Sequence, residues 1–239
     1  MRKVALLAAA LGVLAFGVTG TAYAVDASQG LAISLQSSKA GTKKKPKSVG
    51  KFKVTTTTTP APGTTPNYAT TQAVIHLDKN LVFQSAKFPS CTLTQAQQHS
   101  AKCTAAKVGS GSAKATVAAL GLNPTLTVTA YNGPGGKSFW LRVVEPSLSI
   151  DSILPSKLSK DKGKFGTKLT VTIPQNLQQP VTGVYATLTQ FITIINKTHK
   201  HVPYIGLTGC TGGKLNFAGD FKFTDGSVLH ATATAKCKK

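Results

Sequence analysis

The sequence predicts an all-β fold: an antiparallel β-sandwich, or a flattened barrel, with one short helix inside a disulfide loop. Three observations carry this. Short runs rich in Val, Ile and Thr alternate apolar and polar residues along most of the chain. Clusters of Gly, Pro, Asn and Asp separate these runs. Four cysteines fall into two sequence-local pairs, Cys91 with Cys103 and Cys210 with Cys237. Many short strands with frequent turns and few helices are the pattern of sandwiches and barrels.

The elements follow in order. Arg2 and Lys3, the uncharged run Val4–Val18 and the Ala22-Tyr23-Ala24 site predict a secretory signal peptide over residues 1–24. The run is about 15 residues, short of the ~20 that span a bilayer, and no second long apolar run implies a transmembrane segment after its removal. Residues 25–48 read as a basic N-terminal arm, with Lys43-Lys44-Lys45-Pro46-Lys47 as a solvated charge run. Residues 49–239 read as a single disulfide-bonded domain, since no clean linker divides them. Lys51–Thr59 favours extended backbone, and Thr71–Leu77 places Ala73, Ile75 and Leu77 on one face. Leu81–Phe83 follows a Lys79-Asn80 turn.

The helix candidate starts at Thr92-Leu93-Thr94-Gln95, which has the form of a capping box, and runs through Ala96–Ala101. Strand character is steady from Ala113. Leu126, Val128 and Ala130 alternate up to the 132–136 turn, and Phe139, Leu141 and Val143 continue beyond it as a hairpin. Lys168–Ile173 and Val184–Ile195 read as strands; Thr and β-branched residues argue for extension in the second. Asn216–Thr224 and Ser227–Ala235 flank Asp225-Gly226, a strong hairpin signal.

Charge narrows function further. The 28 Lys and Arg residues, less Arg2 and Lys3, leave 26 basic side chains against 7 acidic ones, and only Arg142 among them is arginine. Lysine is a hydrated point charge, whereas arginine makes the two-pronged contacts that read bases. Sequence-specific nucleic-acid binding is therefore not expected. Loose association with anionic cell-envelope polymers or lipid headgroups is, with Lys43, Lys44, Lys45 and Lys47 as contacts. The alternative use of the lysines is to keep strand edges soluble. Four cysteines allow three pairings; Cys91–Cys103 and Cys210–Cys237 close the shortest loops and are preferred. A four-cysteine zinc site would want C-x-x-C spacing, which is absent.

Catalytic templates do not assemble. Gly109-Ser110-Gly111 is not a nucleophile elbow and reads as a turn. Asp161 sits among lysines and reads as exposed; Asp220, flanked by Phe217, Phe221 and Phe223, is a single acid without a partner. His199 and His201 read as an exposed turn rather than a metal clamp. No catalytic, cofactor or metal residues are expected. Tyr131 and Trp140, either side of the 132–136 turn, form a candidate ligand patch, because sugar faces stack on rings.

The stretch Lys39-Ala40-Gly41-Thr42, the segment Phe88-Pro89-Ser90-Cys91 through Cys103 to Lys107–Ala113, the Tyr131-Asn132-Gly133 turn and the Asp225-Gly226-Ser227 to Cys237 ending together resemble a group of uncharacterised secreted proteins of actinobacterial type. Such proteins often carry Pro after the second cysteine, where this chain has Thr104. The resemblance implies an exported, disulfide-bonded β-domain and brings no known activity. The expected function is a non-catalytic domain of the cell envelope or extracellular space. The alternative is a carbohydrate- or apolar-ligand-binding β-domain, with an apolar pocket as its signature.

Overall fold

Alternating side chains need an interior on one face of every strand, and one sheet supplies it by curling on itself. The computed structural model describes residues 27–61 and 68–239; the leader expected over residues 1–24 lies outside them. In chain order the strands are β1 (Ser28–Leu35), β2 (Lys47–Ser48), β3 (Phe52–Thr59), β4 (Thr70–Asp78), β5 (Leu81–Phe83), β6 (Lys107–Thr116), β7 (Thr125–Asn132) and β8 (Ser138–Glu145). Then come β9 (Ile150–Lys160), β10 (Phe165–Thr172), β11 (Thr187–Ile195), β12 (Thr198–His199), β13 (Val202–Pro203), β14 (Ile205–Leu207), β15 (Lys214–Phe223) and β16 (Val228–Lys236). The short helices are α1 (Leu93–Gln97), α2 (Ala101–Ala106) and α3 (Gln175–Gln178).

Eleven of these strands form one sheet in the order β1-β3-β11-β6-β7-β8-β9-β10-β4-β15-β16, every neighbouring pair antiparallel. The edge strands β1 and β16 lie side by side. An odd number of alternating strands brings its two edges together in parallel, and the Lys39–Lys238 bridge is parallel. The result is a near-closed barrel, the flattened-barrel form of the expected all-β fold. Both disulfides pair as preferred, Cys91–Cys103 and Cys210–Cys237. Among the described residues no helix is long and apolar enough to cross a membrane.

Strand direction gives the barrel two unlike ends. One holds the connections β1–β3, β4–β5, β7–β8 and β9–β10 and both chain crossings that carry the disulfides. This end is plugged. β14 pairs with β5 and β2 in a small second sheet, and Leu81, Val49, Tyr204, Ile205 and Leu207 are buried in the same core as Leu215 and Phe217. Tyr204 anchors the plug. Its hydroxyl donates to Asn132 Oδ1 at 2.8 Å, while Asn132 Nδ2 donates to the carbonyls of Ser85 and Pro89 at 3.0 Å each. Complete burial pushes the Tyr204 phenol above its ordinary range. The other end holds the β6–β7, β8–β9, β10–β11 and β15–β16 connections, and among the described residues no second sheet lies across it.

Four sequence readings change. Ser28–Leu35 is not part of a free arm: it is an edge strand paired with β3 along its whole length, because Leu31, Ile33 and Leu35 alternate onto the core. The single helix of the disulfide loop is two. His99 takes a left-handed conformation (φ 53°) that ends α1, and Ser100 then caps α2, which runs beyond Cys103 to Ala106. The Thr92–Gln95 capping box itself forms, with Thr92 Oγ1 accepting from Gln95 N–H and Gln95 Oε1 from Thr92 N–H. Gly109–Gly111 is not a turn but the middle of β6. A Cβ at Gly111 would meet the Ile192 carbonyl oxygen on β11, so only glycine permits this approach. The strand expected from Val184 begins at Thr187, since Val184 closes a turn against Val181.

Removing the anchor isolates its contribution. Tyr204→Phe leaves the buried Asn132 carbonyl unpaired and should lower unfolding stability by about 1–3 kcal/mol. Phe217→Ala, which empties part of the core, should cost about 3–5 kcal/mol. Urea unfolding with the disulfides intact measures both; a Tyr204→Phe protein as stable as wild type would mean that the plug is held by packing alone.

Candidate functional site at the open end of the barrel

The inward residues of β6, β7, β8, β9 and β11 near the unplugged end are almost all aliphatic. They line a cavity of about 230 Å³. Ala113, Ala115, Leu126, Val143, Leu154 and Leu188 form its wall, and Phe191 lies at its inner side. The loops supply the rim. Leu120 and Leu122 come from the β6–β7 connection, Leu148 from β8–β9, and Leu177, Pro180 and Val181 from the α3 segment. Leu120, Leu122, Leu148 and Val181 are exposed, which is unusual for large apolar side chains clustered at one place. Among the described residues, Thr70 and Asn176 are the only polar side chains in the lining.

A second cavity of about 90 Å³ lies deeper, toward Phe52, Phe139 and Ile205 of the plugged end. It shares Thr70, Leu154, Ile173, Leu188 and Phe191 with the first. The two are thus neighbouring compartments along the barrel axis. Among the described residues neither lining holds a charged side chain, and a chamber of this kind suits an apolar molecule.

Of the aromatic patch expected at Tyr131 and Trp140, Trp140 is buried and Tyr131 half-buried. The two residues pair across β7 and β8 as expected, but α1 and α2 pack over them on the outer wall. Trp140 is buried with Leu93, Ala96, Cys91 and Cys103, and its indole N–H donates to the Cys91 carbonyl at 2.9 Å. It is a structural tryptophan under the disulfide loop, with no free ring face for a sugar.

Asp220 has partners that its sequence neighbourhood did not reveal. On the outer wall, His76 of β4 places Nδ1 2.5 Å from Asp161 and Nε2 3.1 Å from Asp220, and His230 of β16 reaches the other Asp220 oxygen at 2.8 Å. Asp161 is therefore not a free surface acid: its side chain is only 13% exposed. His76 thus bridges the two carboxylates, and Asp161, His76, Asp220 and His230 form one continuous chain of contacts. Burial pushes the Asp161 carboxyl upward, but the His76 contact, the Lys162 N–H and nearby Lys168 outweigh it and hold it below the usual range; Asp220 is lowered in the same way by His230 and His76. The chain lies outside both cavities and ties the β9–β10 turn, β4, β15 and the edge strand β16 together. A further acid, Asp78, is buried and capped by the N–H groups of Asn80 and Asn216 at 2.9 and 2.8 Å. Arg142 is neutralised by two contacts to Asp151, at 2.8 and 2.6 Å.

His199 and His201 do form a turn, with Lys200 and His201 in left-handed conformations and His199 against the Phe88 ring. Lys43, Lys44, Lys45 and Lys47 are exposed on the β1–β3 connection at the plugged end. The same end carries Lys162 and Lys164 on the β9–β10 turn and Lys238 and Lys239 beyond β16, whereas the connections after β6, β8, β10 and β15 contain neither Lys nor Arg.

Comparison with known proteins finds no matching family model, no matching curated protein and no matching solved structure.

The acid chain gives a signed pH dependence. A carboxylate held low in the folded state stabilises above its unfolded value near 3.8 and loses that stabilisation as pH falls through the folded value. Wild type should therefore exceed Asp161→Asn in urea midpoint at about pH 6, and the gap should close by about pH 2. A gap that is absent at about pH 6, or unchanged at about pH 2, would show that Asp161 contributes nothing through its charge.

Proposed function

We propose that this chain is a non-catalytic binding protein that receives a small apolar ligand through the open end of its barrel, in an oxidising compartment outside the cytoplasm. The observation that carries the reading is the aliphatic cavity of about 230 Å³ with its exposed leucine rim. An apolar cavity of roughly 150 Å³ already takes up benzene, because it stays dry and loses nothing by being filled. The volume here suits a larger ring system or the end of an acyl chain. Thr70 and Asn176 leave a place for one polar group on the ligand, near the rim.

The carbohydrate form of this reading has less support, since the ring it needed is covered by the disulfide loop. The two disulfides support the extracellular setting. An apolar rim also accounts for the lack of Lys and Arg on the described connections around the entrance: a lysine there would have to be desolvated as the ligand enters.

Titration with the uncharged fluorophore N-phenyl-1-naphthylamine tests the proposal. Wild type should enhance its emission saturably, and 1-decanol should displace it. Ala115→Phe fills the wall of the cavity and should weaken binding by about tenfold or more, equivalent to about 1.4 kcal/mol. Asp161→Asn, remote from the cavity, should bind as wild type does. No saturable binding by wild type, or equal binding by a folded Ala115→Phe protein, would overturn the assignment.

A further inference from the structure

We infer that the plugged end of the barrel is a docking surface for a linear polyanion bearing phosphate groups, and that it holds the molecule with its apolar mouth turned away. The inference is independent of the ligand reading and rests on how charge is distributed. Lysines occupy the connections at one end and are missing from those at the other. Lys114 and Lys222, on the halves of β6 and β15 nearer the mouth, are the exceptions among the described lysines. Had the lysines served solubility alone, no such division between the ends would be needed.

Three further observations point outward, to a partner. First, none of the ion pairs among the described residues involves a lysine; the carboxylates are matched to His76, His99, His230 and Arg142 instead. Second, the acids at the plugged end are already satisfied internally, Asp78 by backbone and amide N–H groups and Asp161 by His76. The lysine field there is left without internal neutralisation. Third, the loop bearing Lys43, Lys44, Lys45 and Lys47 is held in place. Gly41 N–H donates to the Leu207 carbonyl of the plug, Thr42 and Lys45 close a turn, and Ala40 N–H donates to the Lys238 carbonyl, which brings the basic chain end alongside. Four exposed cations on a fixed loop lose less entropy on binding than they would on a free arm.

The partner follows from the residue type. Lysine attracts phosphate as a point charge and needs no fixed geometry, which suits a flexible repeating polymer rather than a base edge. Among the described residues the large exposed apolar side chains (Leu120, Leu122, Leu148, Val181 and Val228) all lie at the mouth, and none at the lysine end offers an anchor to a bilayer. That favours a soluble polymer over a membrane surface.

The test uses fluorescently labelled long-chain inorganic polyphosphate and full-length mature protein. Binding should weaken by more than about tenfold between about 50 and 200 mM NaCl, as counterion release requires. The quadruple variant Lys43→Gln, Lys44→Gln, Lys45→Gln, Lys47→Gln should lose about tenfold or more at low salt, whereas Lys114→Gln with Lys222→Gln should stay within about twofold. Circular dichroism and N-phenyl-1-naphthylamine binding, unchanged in both variants, keep the outcome separate from folding and from the mouth. Equal losses in the two variants, salt-insensitive binding, or binding to anionic phosphatidylglycerol vesicles without binding to polyphosphate would each overturn the inference.

Discussion

Closure of a single antiparallel sheet is the constraint on which everything else here depends. Eleven strands, each reversing the last, must bring β1 and β16 together running the same way, and the bridge between Lys39 and Lys238 marks where they meet. Closure hides the apolar face of every strand without a second layer. It also makes the interior a tube with two ends, and each end must be filled, capped or left open. The chain fills one of them with Tyr204, Leu207 and the small sheet of β2, β14 and β5. At the other it places short loops whose leucines stand around a cavity.

Reversal of direction at every strand has an electrostatic consequence. Successive connections fall alternately at the plugged end and at the mouth, so lysines confined to alternate connections gather at one end in space. The molecule thereby becomes polar along its axis, with lysine-rich connections at the plug and described connections free of Lys and Arg at the opening. Internal neutralisation follows the same division of labour. Histidine and arginine take the acids on the wall, as in the chain Asp161, His76, Asp220 and His230, while among the described residues no lysine enters an ion pair.

Local features were legible in the sequence because local physics determines them. The hairpins joining β7 to β8 and β15 to β16, the Thr92 capping box and both short-range disulfides depend on residues close in the chain. β9 was not legible: Pro155 interrupts its pattern, and its pairing partners are set by the barrel. β1 was obscured by the lysine run that follows it, although Leu31, Ile33 and Leu35 alternate. Trp140 shows the limit of periodicity. It alternates out of phase with the inward Phe139 and Leu141, which leaves open what it faces, and the cover provided by α1 and α2 is a tertiary fact. The cavity and the acid chain likewise depend on residues far apart in sequence, such as His76 with Asp161 and Asp220, and no spacing rule brings these together.

The central claim is an asymmetric barrel, sealed by Tyr204 and its neighbours and receptive at the leucine rim. Methyl-resolved NMR during titration with 1-decanol tests it most directly. The account predicts saturable shifts at Leu122, Leu126 and Leu188, with Leu81, Leu207 and Leu215 at the plug unmoved. Shifts centred on the plug leucines, or none up to the solubility of the alcohol, would contradict it.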